Sequence, residues 1–307
     1  MASRNENWVQ ISRWFRFRFE YGLLLLLAKL VRGLPRTVSL RFGAWLGRQG
    51  YWLLLSRRRL ADQNMRLALP ELSNAERSEN IKKMFEHFGI SGFEMLRLNM
   101  FRSHSEDLAR YFDLIGTEHL KNAYALGRGV LFLTGHVGFW EVGNYTMPEQ
   151  GFPFDVVAKP MKNPLADEYI TRLRESYGAR VLDSKKGARR ILKSLQEGRG
   201  VAILLDQHIS PPGAIQVDFF GRKAFTTTAI TNMAMKYQVP VVPIFVHRLP
   251  GFRYRVSAEP MLLLEDGESP ELIFKNTQLL TDKIEAVIRE DVTQWFWMHK
   301  RWREPRK

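Results

Sequence analysis

The sequence lacks several features that define common classes of enzyme and membrane protein. It has no cysteine among its 307 residues, which excludes disulfide bonds, zinc–thiolate sites and cysteine nucleophiles. No P-loop, GxGxxG, HExxH or GxSxG motif is present, so a serine hydrolase of the nucleophile-elbow type is also excluded. No run reaches the ~20 consecutive apolar residues that a membrane-spanning helix needs. We also find no internal repeat and no low-complexity segment, and we expect neither a metal nor a cofactor.

Basic and aromatic residues, by contrast, are plentiful. Lys and Arg number 46 against 32 Asp and Glu, so the formal net charge is +14, and aromatic residues make up 12% of the chain. Such a charge attracts polyanions: nucleic acid, anionic lipid head groups or an acidic partner protein. Basic residues mixed with aromatic ones are typical of single-strand nucleic-acid binding and equally of a membrane interface.

The first sixty residues favour the membrane interface. Arginine alternates with Trp and Phe up to Phe19, five leucines follow at Leu23–Leu27, and a second apolar stretch, Val38–Leu55, is closed by Arg57–Arg59. This pattern predicts that residues 1–60 form one or two helices lying on the cytoplasmic side of an anionic membrane. A short spanning or re-entrant helix and a leucine-rich pair of core helices are the alternatives.

Residues 61–307 have the pattern of one α/β domain. A capping-box sequence at Ser73 opens an amphipathic helix, and from about Tyr111 short apolar runs alternate with helical stretches. The predicted strands are Val130–Thr134, Phe154–Ala158, Ala179–Leu182, Val201–Leu205, Val241–Val246 and, at an edge, Phe252–Ser257. The predicted helices are Asn163–Tyr177, Lys185–Glu197, Thr227–Tyr237 and Ser269–Glu290. This alternation predicts an α/β fold with a mainly parallel sheet flanked by helices.

Polar side chains follow two of these strands. His136 comes after Val130–Thr134, and Asp206, Gln207 and His208 come after Val201–Leu205. Sites in parallel sheets lie at the carboxyl ends of strands, so both groups are expected to face one side of the sheet. The alternatives are a histidine that only hydrogen-bonds its strand end and an acid that only caps the next helix.

A carboxylate, Glu141, stands five residues after His136, where one helical turn would let it orient the imidazole. The spacing alone is weak evidence, because His299 and Glu304 repeat it in a basic tail with no strand before it. Three other segments suggest further roles: a turn that presents Arg222, a threonine run around Thr227 suited to capping or anion binding, and the aromatic tail QWFWMHKRWR, expected to pack on the site or contact a membrane.

The motifs TGHVGFWE, LLDQH, VDFFGR, VPVVPIF and QWFWMHKRW, in this order and at about this spacing, resemble those of the lipid A biosynthesis lauroyl/myristoyl acyltransferases. That family is related to the glycerophosphate and lysophospholipid acyltransferases. The resemblance runs from about Leu23 to Arg303. It implies transfer of an acyl chain from acyl carrier protein, or acyl-CoA, to a hydroxyl of an anionic lipid A precursor, on the cytoplasmic face of the inner membrane, without nucleic acid as a partner.

The resemblance also implies roles for individual residues. His136 would take the proton of the acceptor hydroxyl, Glu141 would hold the imidazole, and backbone N–H groups near Gly138 or a nearby cation would stabilise the oxyanion. The supporting residues that it implies are Asp206, Gln207, Lys159, Arg222 and Thr227.

One residue departs from the family pattern. Phe139 replaces a polar residue that relatives often carry beside the base, which puts the acceptor in question. Another glycolipid or an aminolipid is therefore an alternative acceptor, and a non-enzymatic membrane or nucleic-acid binder is an alternative function.

Overall fold

The computed structural model describes residues 2–103, 106–184, 187–267 and 269–303, with side chains from Ser12 onward. The side chain of Trp8, the predicted helix start at Lys185, and Glu304 lie outside the described residues. The helices are α1 (Ala2–Gly33), α2 (Arg36–Leu53), α3 (Leu55–Ala68), α4 (Asn74–Leu96), α5 (Glu106–Tyr111), α6 (Thr117–Ala125), α7 (Gly143–Glu149), α8 (Pro164–Arg174), α9 (Gly187–Gln196), α10 (Ala229–Tyr237) and α11 (Pro270–Glu290). The strands are β1 (Phe112–Ile115), β2 (Val130–Thr134), β3 (Phe154–Ala158), β4 (Arg180–Asp183), β5 (Gly200–Leu204), β6 (Ala214–Phe219), β7 (Arg222–Thr227), β8 (Val241–Leu249) and β9 (Arg253–Ala258).

Seven of these strands form one sheet in the order β1-β9-β8-β2-β5-β3-β4. Neighbouring strands are parallel except for the β8–β9 pair, which is antiparallel. The predicted α/β class with a mainly parallel sheet is thus confirmed. The strand β9, which was predicted at an edge of the sheet, is the second strand from the edge, because β1 pairs with its outer side. Neither β1 nor the β6–β7 hairpin was predicted.

The central strand β2 supplies both layers of the core. All of its residues are buried, and alternate side chains point to opposite faces of the sheet. Leu131 and Leu133 join the apolar cluster on one face, together with residues of α10 and α11. Val130 and Phe132 join the cluster on the other face, which includes residues of α6 and α7. Covering both faces explains why β2 is a continuous apolar run rather than an alternating one.

The N-terminal helices pack on α4, with glycines at the closest crossing. A Cβ on Gly47 of α2 would lie 2.2 Å from the carbonyl oxygen of Phe85 in α4, so only glycine allows this approach. The capping box predicted at Ser73 is present at the start of α4. Among the helices of the described residues, none is long and apolar enough to cross a membrane.

Many large apolar side chains of α1 and α2 face solvent instead of the core. Phe15 and Phe19 of α1 are 62% and 68% exposed, and Leu53 of α2 is 77% exposed. The others are Trp14, Leu23, Leu25, Leu26, Leu27, Leu30, Val38, Phe42, Trp45, Leu46 and Trp52. We call this set the exposed apolar face. A pair of ordinary core helices does not leave so many large side chains in water.

Candidate active site

The register of two neighbouring strands brings His136 and Asp206 together. Thr134 at the end of β2 pairs with Leu204 at the end of β5. The N–H of Leu205 then donates to the carbonyl of Thr134 at 3.0 Å, which carries the pairing one residue further. His136 and Asp206 each follow the last paired residue by two positions. They therefore leave the sheet at the same point, as their positions after the two strands predicted.

The imidazole of His136 and the carboxylate of Asp206 form a direct ion-pair geometry. Nδ1 of His136 lies 2.9 Å from Oδ1 of Asp206, and the backbone N–H of His136 donates to Oδ2 at 3.0 Å. The indole N–H of Trp295 donates to the same Oδ2 at 2.7 Å. Burial by itself would raise the pKa of Asp206, but the charge of His136 and these hydrogen bonds outweigh it and lower the pKa to about 2. Asp206 is therefore ionised at neutral pH and fixes the orientation of the ring.

The second ring nitrogen of His136 faces the cavity. Because ionised Asp206 only accepts hydrogen bonds, Nδ1 carries a proton, so in the neutral imidazole it is Nε2 that presents the lone pair. The side-chain amide nitrogen of Gln207 lies 3.1 Å from Nε2 and donates to it. Trp140 packs against the ring with centroids 4.7 Å apart. An acceptor hydroxyl that displaced the Gln207 amide would meet a base in the correct tautomer.

The Glu141 carboxylate makes different contacts from those expected. It accepts hydrogen bonds from Nε of Arg174 at 2.9 Å and from Nη2 at 2.5 Å, and one from the side-chain amide of Asn144 at 3.1 Å. Burial would lower the pKa of Arg174, but the hydrogen bonds and charge of Glu141 raise it instead. The imidazole is thus held by Asp206, and Glu141 holds a guanidinium.

Gly138 shapes the turn between His136 and Glu141. Its φ of 61° lies in the left-handed region, and a Cβ there would lie 1.8 Å from the carbonyl oxygen of Val246. Its N–H donates to the carbonyl of Gln294 at 3.0 Å, and its carbonyl lies 3.0 Å from Nε2 of His87. The expectation that Gly138 supplies an oxyanion donor is therefore wrong for its own N–H, which is already used. Its role in this structure is to set the course of the loop.

The aromatic tail packs behind the site. Trp295 and Trp297 are fully buried, and Trp295 pairs with Val137, the residue after His136, in a β-bridge. Asn64 of α3 donates to the carbonyls of Trp297 and His299, both at 2.7 Å. Burial lowers the pKa of His299 to about 4, so this histidine is neutral at neutral pH. Of the two expectations for the tail, the structure shows packing on the site.

A cavity of about 770 Å³ opens in front of His136. It includes Glu141 and Arg174, and three of the predicted supporting residues, Lys159, Gln207 and Thr227, line it. Its wall also contains the apolar side chains Val156, Val157, Ala158, Met161, Ile191, Ile203 and Met233 and the basic residues Lys300 and Arg303. Apolar surface beside fixed cations suits a molecule with an acyl chain and an anionic head group.

Two predicted residues lie elsewhere. Arg222 is exposed at the turn of the β6–β7 hairpin and is absent from the described lining of the cavity. Phe139 is 1% exposed and belongs to the core cluster on the α6 and α7 face of the sheet, with its ring 6.3 Å from that of Tyr254. The hypothesis that Phe139 shapes the acceptor site from beside the base is wrong, because its side chain fills the core.

Sequence reasoning missed Trp295 and Arg174 as residues of the site. Trp295 belongs to the aromatic tail, and its burial cost was the available signal, although its partner Asp206 is 89 residues away. Arg174 lies near the end of α8, 33 residues after Glu141, in a helix rich in charged residues. Nothing in that local pattern marks it.

Comparison with known proteins places the chain in a family. The family described as bacterial lipid A biosynthesis acyltransferase matches residues 12–304. The lipid A biosynthesis lauroyltransferase of Escherichia coli is 28% identical over 280 residues, covering 89% of this chain and 88% of that protein. A phosphatidylinositol mannoside acyltransferase of Mycolicibacterium smegmatis is 24% identical over 64% of each chain.

The crystal structure of the 1-acyl-sn-glycerophosphate acyltransferase PlsC from Thermotoga maritima is 14% identical, with a TM-score of 0.36, over 81% of this chain and 95% of that one. The family match over residues 12–304 shows that the chain belongs to the bacterial lipid A biosynthesis acyltransferase family and is an acyltransferase.

Proposed function

We propose that this acyltransferase moves a fatty acyl chain from acyl carrier protein to a hydroxyl of a lipid A precursor, with His136 as general base. The observation that carries this proposal is the pairing of Nδ1 of His136 with Asp206 at 2.9 Å, beside a cavity with both apolar and basic walls. The family match supports the reaction class, and the positive charge of the chain suits two anionic substrates.

In the first step, Nε2 of His136 removes the proton of the acceptor hydroxyl while the oxygen attacks the thioester carbonyl. The imidazole becomes a cation, which ionised Asp206 stabilises through Nδ1. The carbonyl oxygen becomes an oxyanion. Because the N–H groups of His136 and Gly138 are already engaged, we assign its stabilisation in part to Arg174, a cation that Glu141 fixes in the cavity wall.

In the second step, the tetrahedral intermediate expels the thiolate. The carbon–sulfur bond breaks, the ester carbonyl forms, and the sulfur takes the proton from Nε2 of His136. The base is thereby returned to its neutral form for the next cycle. No acyl-enzyme is needed, and no cysteine is present to form one.

The exposed apolar face supports a place at the inner membrane. It lies on α1 and α2, where arginines such as Arg13, Arg18 and Arg41 accompany it, and no described helix is both long and apolar enough to cross a membrane. We propose that residues 1–60 lie in the interface on the cytoplasmic side, with residues 61–307 as the acyltransferase domain. Replacing Trp45 and Trp52 with Ser should weaken sedimentation with vesicles containing anionic lipid, whereas unchanged sedimentation would contradict this placement.

Mass spectrometry of lipids from strains with and without the gene tests the proposed acceptor. We expect loss of one acyl chain from lipid A in the deletion strain, restored by the wild-type protein and not by His136→Ala. The measurement also tests a second acceptor class, favoured by the match to the phosphatidylinositol mannoside acyltransferase. Unchanged lipid A with a shifted mass in another glycolipid would replace the first acceptor by the second.

A further inference from the structure

A second cavity of about 510 Å³ lies between α9 and α10. It shares four lining residues with the catalytic cavity: Ala188, Thr227, Ala229 and Met233. The two cavities therefore adjoin along these residues, and His136 lines only the first. The second cavity, which we call the side groove, has no role in the acceptor chemistry described above.

The walls of the side groove combine apolar and hydrogen-bonding groups. Leu192 of α9 and Met233 of α10 supply apolar surface. Thr228 and Asn232 supply polar groups, and the amide of Asn232 donates to the hydroxyl of Thr228 at 3.1 Å. A phosphopantetheine arm has the same mixture along its length, because short alkyl segments alternate with two amide bonds.

Cations surround the outer end of the side groove. Arg189 of α9 and Lys236 of α10 line it from opposite sides, and both are exposed. Lys193 lies one turn beyond Arg189 on the same face of α9 and is also exposed. Within residues 187–267 and the other described ranges, none of these three cations has an ion-pair partner. An unneutralised cluster of this kind attracts an acidic surface.

We propose that the side groove admits the phosphopantetheine arm of an acidic acyl carrier protein, whose acidic surface docks on Arg189, Lys193 and Lys236. This inference rests on the proposed function and assigns the surface at which its donor binds. The thioester at the end of the arm would reach His136 across the boundary that the side groove shares with the catalytic cavity. The phosphodiester that joins the arm to the carrier would lie between Arg189 and Lys236.

The distribution of the cations favours a carrier protein over acyl-CoA. Lys193 is outside the lining of the side groove, so a ligand confined to the groove does not need it. A protein surface that spans α9 and α10 would contact all three cations at once. Association of this kind weakens with salt, because exposed charges are screened within about 8 to 10 Å.

Charge reversal tests the proposal. The Arg189→Glu/Lys236→Glu variant should lower kcat/KM with lauroyl-acyl carrier protein on the order of 10- to 100-fold, mainly through KM. The lauroyl thioester of N-acetylcysteamine lacks the carrier and the phosphodiester, and its turnover should be unchanged. The matched control is Lys121→Glu/Arg255→Glu, which reverses two exposed cations on α6 and β9. It should leave both donors unaffected.

The remaining outcomes separate this proposal from the proposed function. Equal losses of kcat/KM with the carrier and with lauroyl-CoA would show that the site recognises only the phosphodiester. That result would overturn docking of the carrier protein. Equal binding of labelled lauroyl-acyl carrier protein to wild type and variant would overturn it directly, even without turnover. Absence of turnover by the wild-type protein with every donor would instead contradict the proposed function.

Filling the side groove gives an independent test. Asn232→Trp should obstruct the arm and lower kcat/KM with lauroyl-acyl carrier protein at least tenfold, while leaving the short N-acetylcysteamine thioester near its wild-type rate. A thermal melt checks that the variant is folded. Unchanged use of the carrier by a folded Asn232→Trp protein would show that the arm enters elsewhere.

Discussion

Two carboxylates lie close to the catalytic cavity, and each contacts a different basic side chain. Asp206 is 2% exposed, contacts the imidazole of His136, and receives an indole N–H from Trp295. Glu141 is 7% exposed, and its carboxylate is taken by the guanidinium of Arg174. The first arrangement sets the tautomer of a base, whereas the second fixes a cation in the cavity wall. Separation along the chain is therefore a poor guide to which acid serves the histidine.

The course of the loop explains the difference. The five-residue spacing predicts a helical turn between His136 and Glu141, but Gly138 adopts a left-handed conformation and Phe139 has φ −107° and ψ 73°. The chain becomes helical only in the short turn Trp140–Val142, which continues into α7 at Gly143. Glu141 is therefore directed toward α8 and Arg174. Asp206, 70 residues from the histidine in sequence, takes the position beside the ring.

The largest expected effect comes from Asp206→Asn. An asparagine amide that donates to Nδ1 would favour the tautomer with its proton on Nε2, which cannot accept a proton from the acceptor. We expect kcat to fall on the order of 10³- to 10⁴-fold, as for loss of a triad carboxylate. Steady-state acyl transfer with folded protein measures it, and Asp218→Asn on the exposed hairpin is the matched control. A rate above one tenth of wild type would reverse the assignment of the two acids.

The main expected effect of Glu141→Gln is a loss of stability. The substitution leaves the guanidinium of Arg174, whose side chain is 20% exposed, without its anionic partner. Because the pair is partly solvated, we expect a loss of about 2 to 3 kcal/mol in the free energy of unfolding, with a smaller fall in kcat than for Asp206→Asn. Denaturant titration measures the first and acyl-transfer kinetics the second.

The double variant Glu141→Gln/Arg174→Gln is the control for Glu141→Gln. It removes the unpaired cation and should recover part of the lost stability. It should not recover activity if Arg174 helps to stabilise the oxyanion. A double variant as unstable as the single one would mean that the ion pair is not the source of the effect.

The pattern of apolar runs predicted β2 and β3 at their observed bounds, because β2 is fully buried, β3 is mostly buried, and turn residues flank both. It missed β1, four residues long at the edge of the sheet, and the hairpin β6–β7, whose strands mix polar and apolar residues. The rule that polar groups meet at strand ends correctly predicted that His136 and Asp206 lie close together. Pairing of Glu141 with Arg174 and of Asp206 with Trp295 depends on tertiary packing between distant segments, which no local spacing encodes.

The low pKa of Asp206 also predicts how the stability of the folded protein depends on pH. The pKa of Asp206 falls from 3.8 to about 2 in the folded protein. Between these values the unfolded chain binds a proton that the folded one does not, so stability rises with pH. The contribution, about 2 kcal/mol, is fully present above pH 3.8 and is lost as the pH falls through 2. Unfolding free energies from pH 2 to 5 should therefore change less steeply for Asp206→Asn than for wild type, and parallel curves would contradict this origin.

The smallest expected effect isolates the hydrogen bond from Trp295 to Asp206. Trp295→Phe keeps most of the buried ring but removes the donor to Oδ2, leaving that oxygen with only the backbone N–H of His136. A hydrogen bond to a charged group contributes about 1.5 kcal/mol or more, so we expect kcat to fall roughly tenfold with KM unchanged. Trp297→Phe is the matched control, since its indole donates at 2.7 Å to the carbonyl of Val292 and not to the site. Similar losses of kcat in both variants would mean that Trp295 acts through packing alone, and that Asp206 is positioned by His136 without help from the tail.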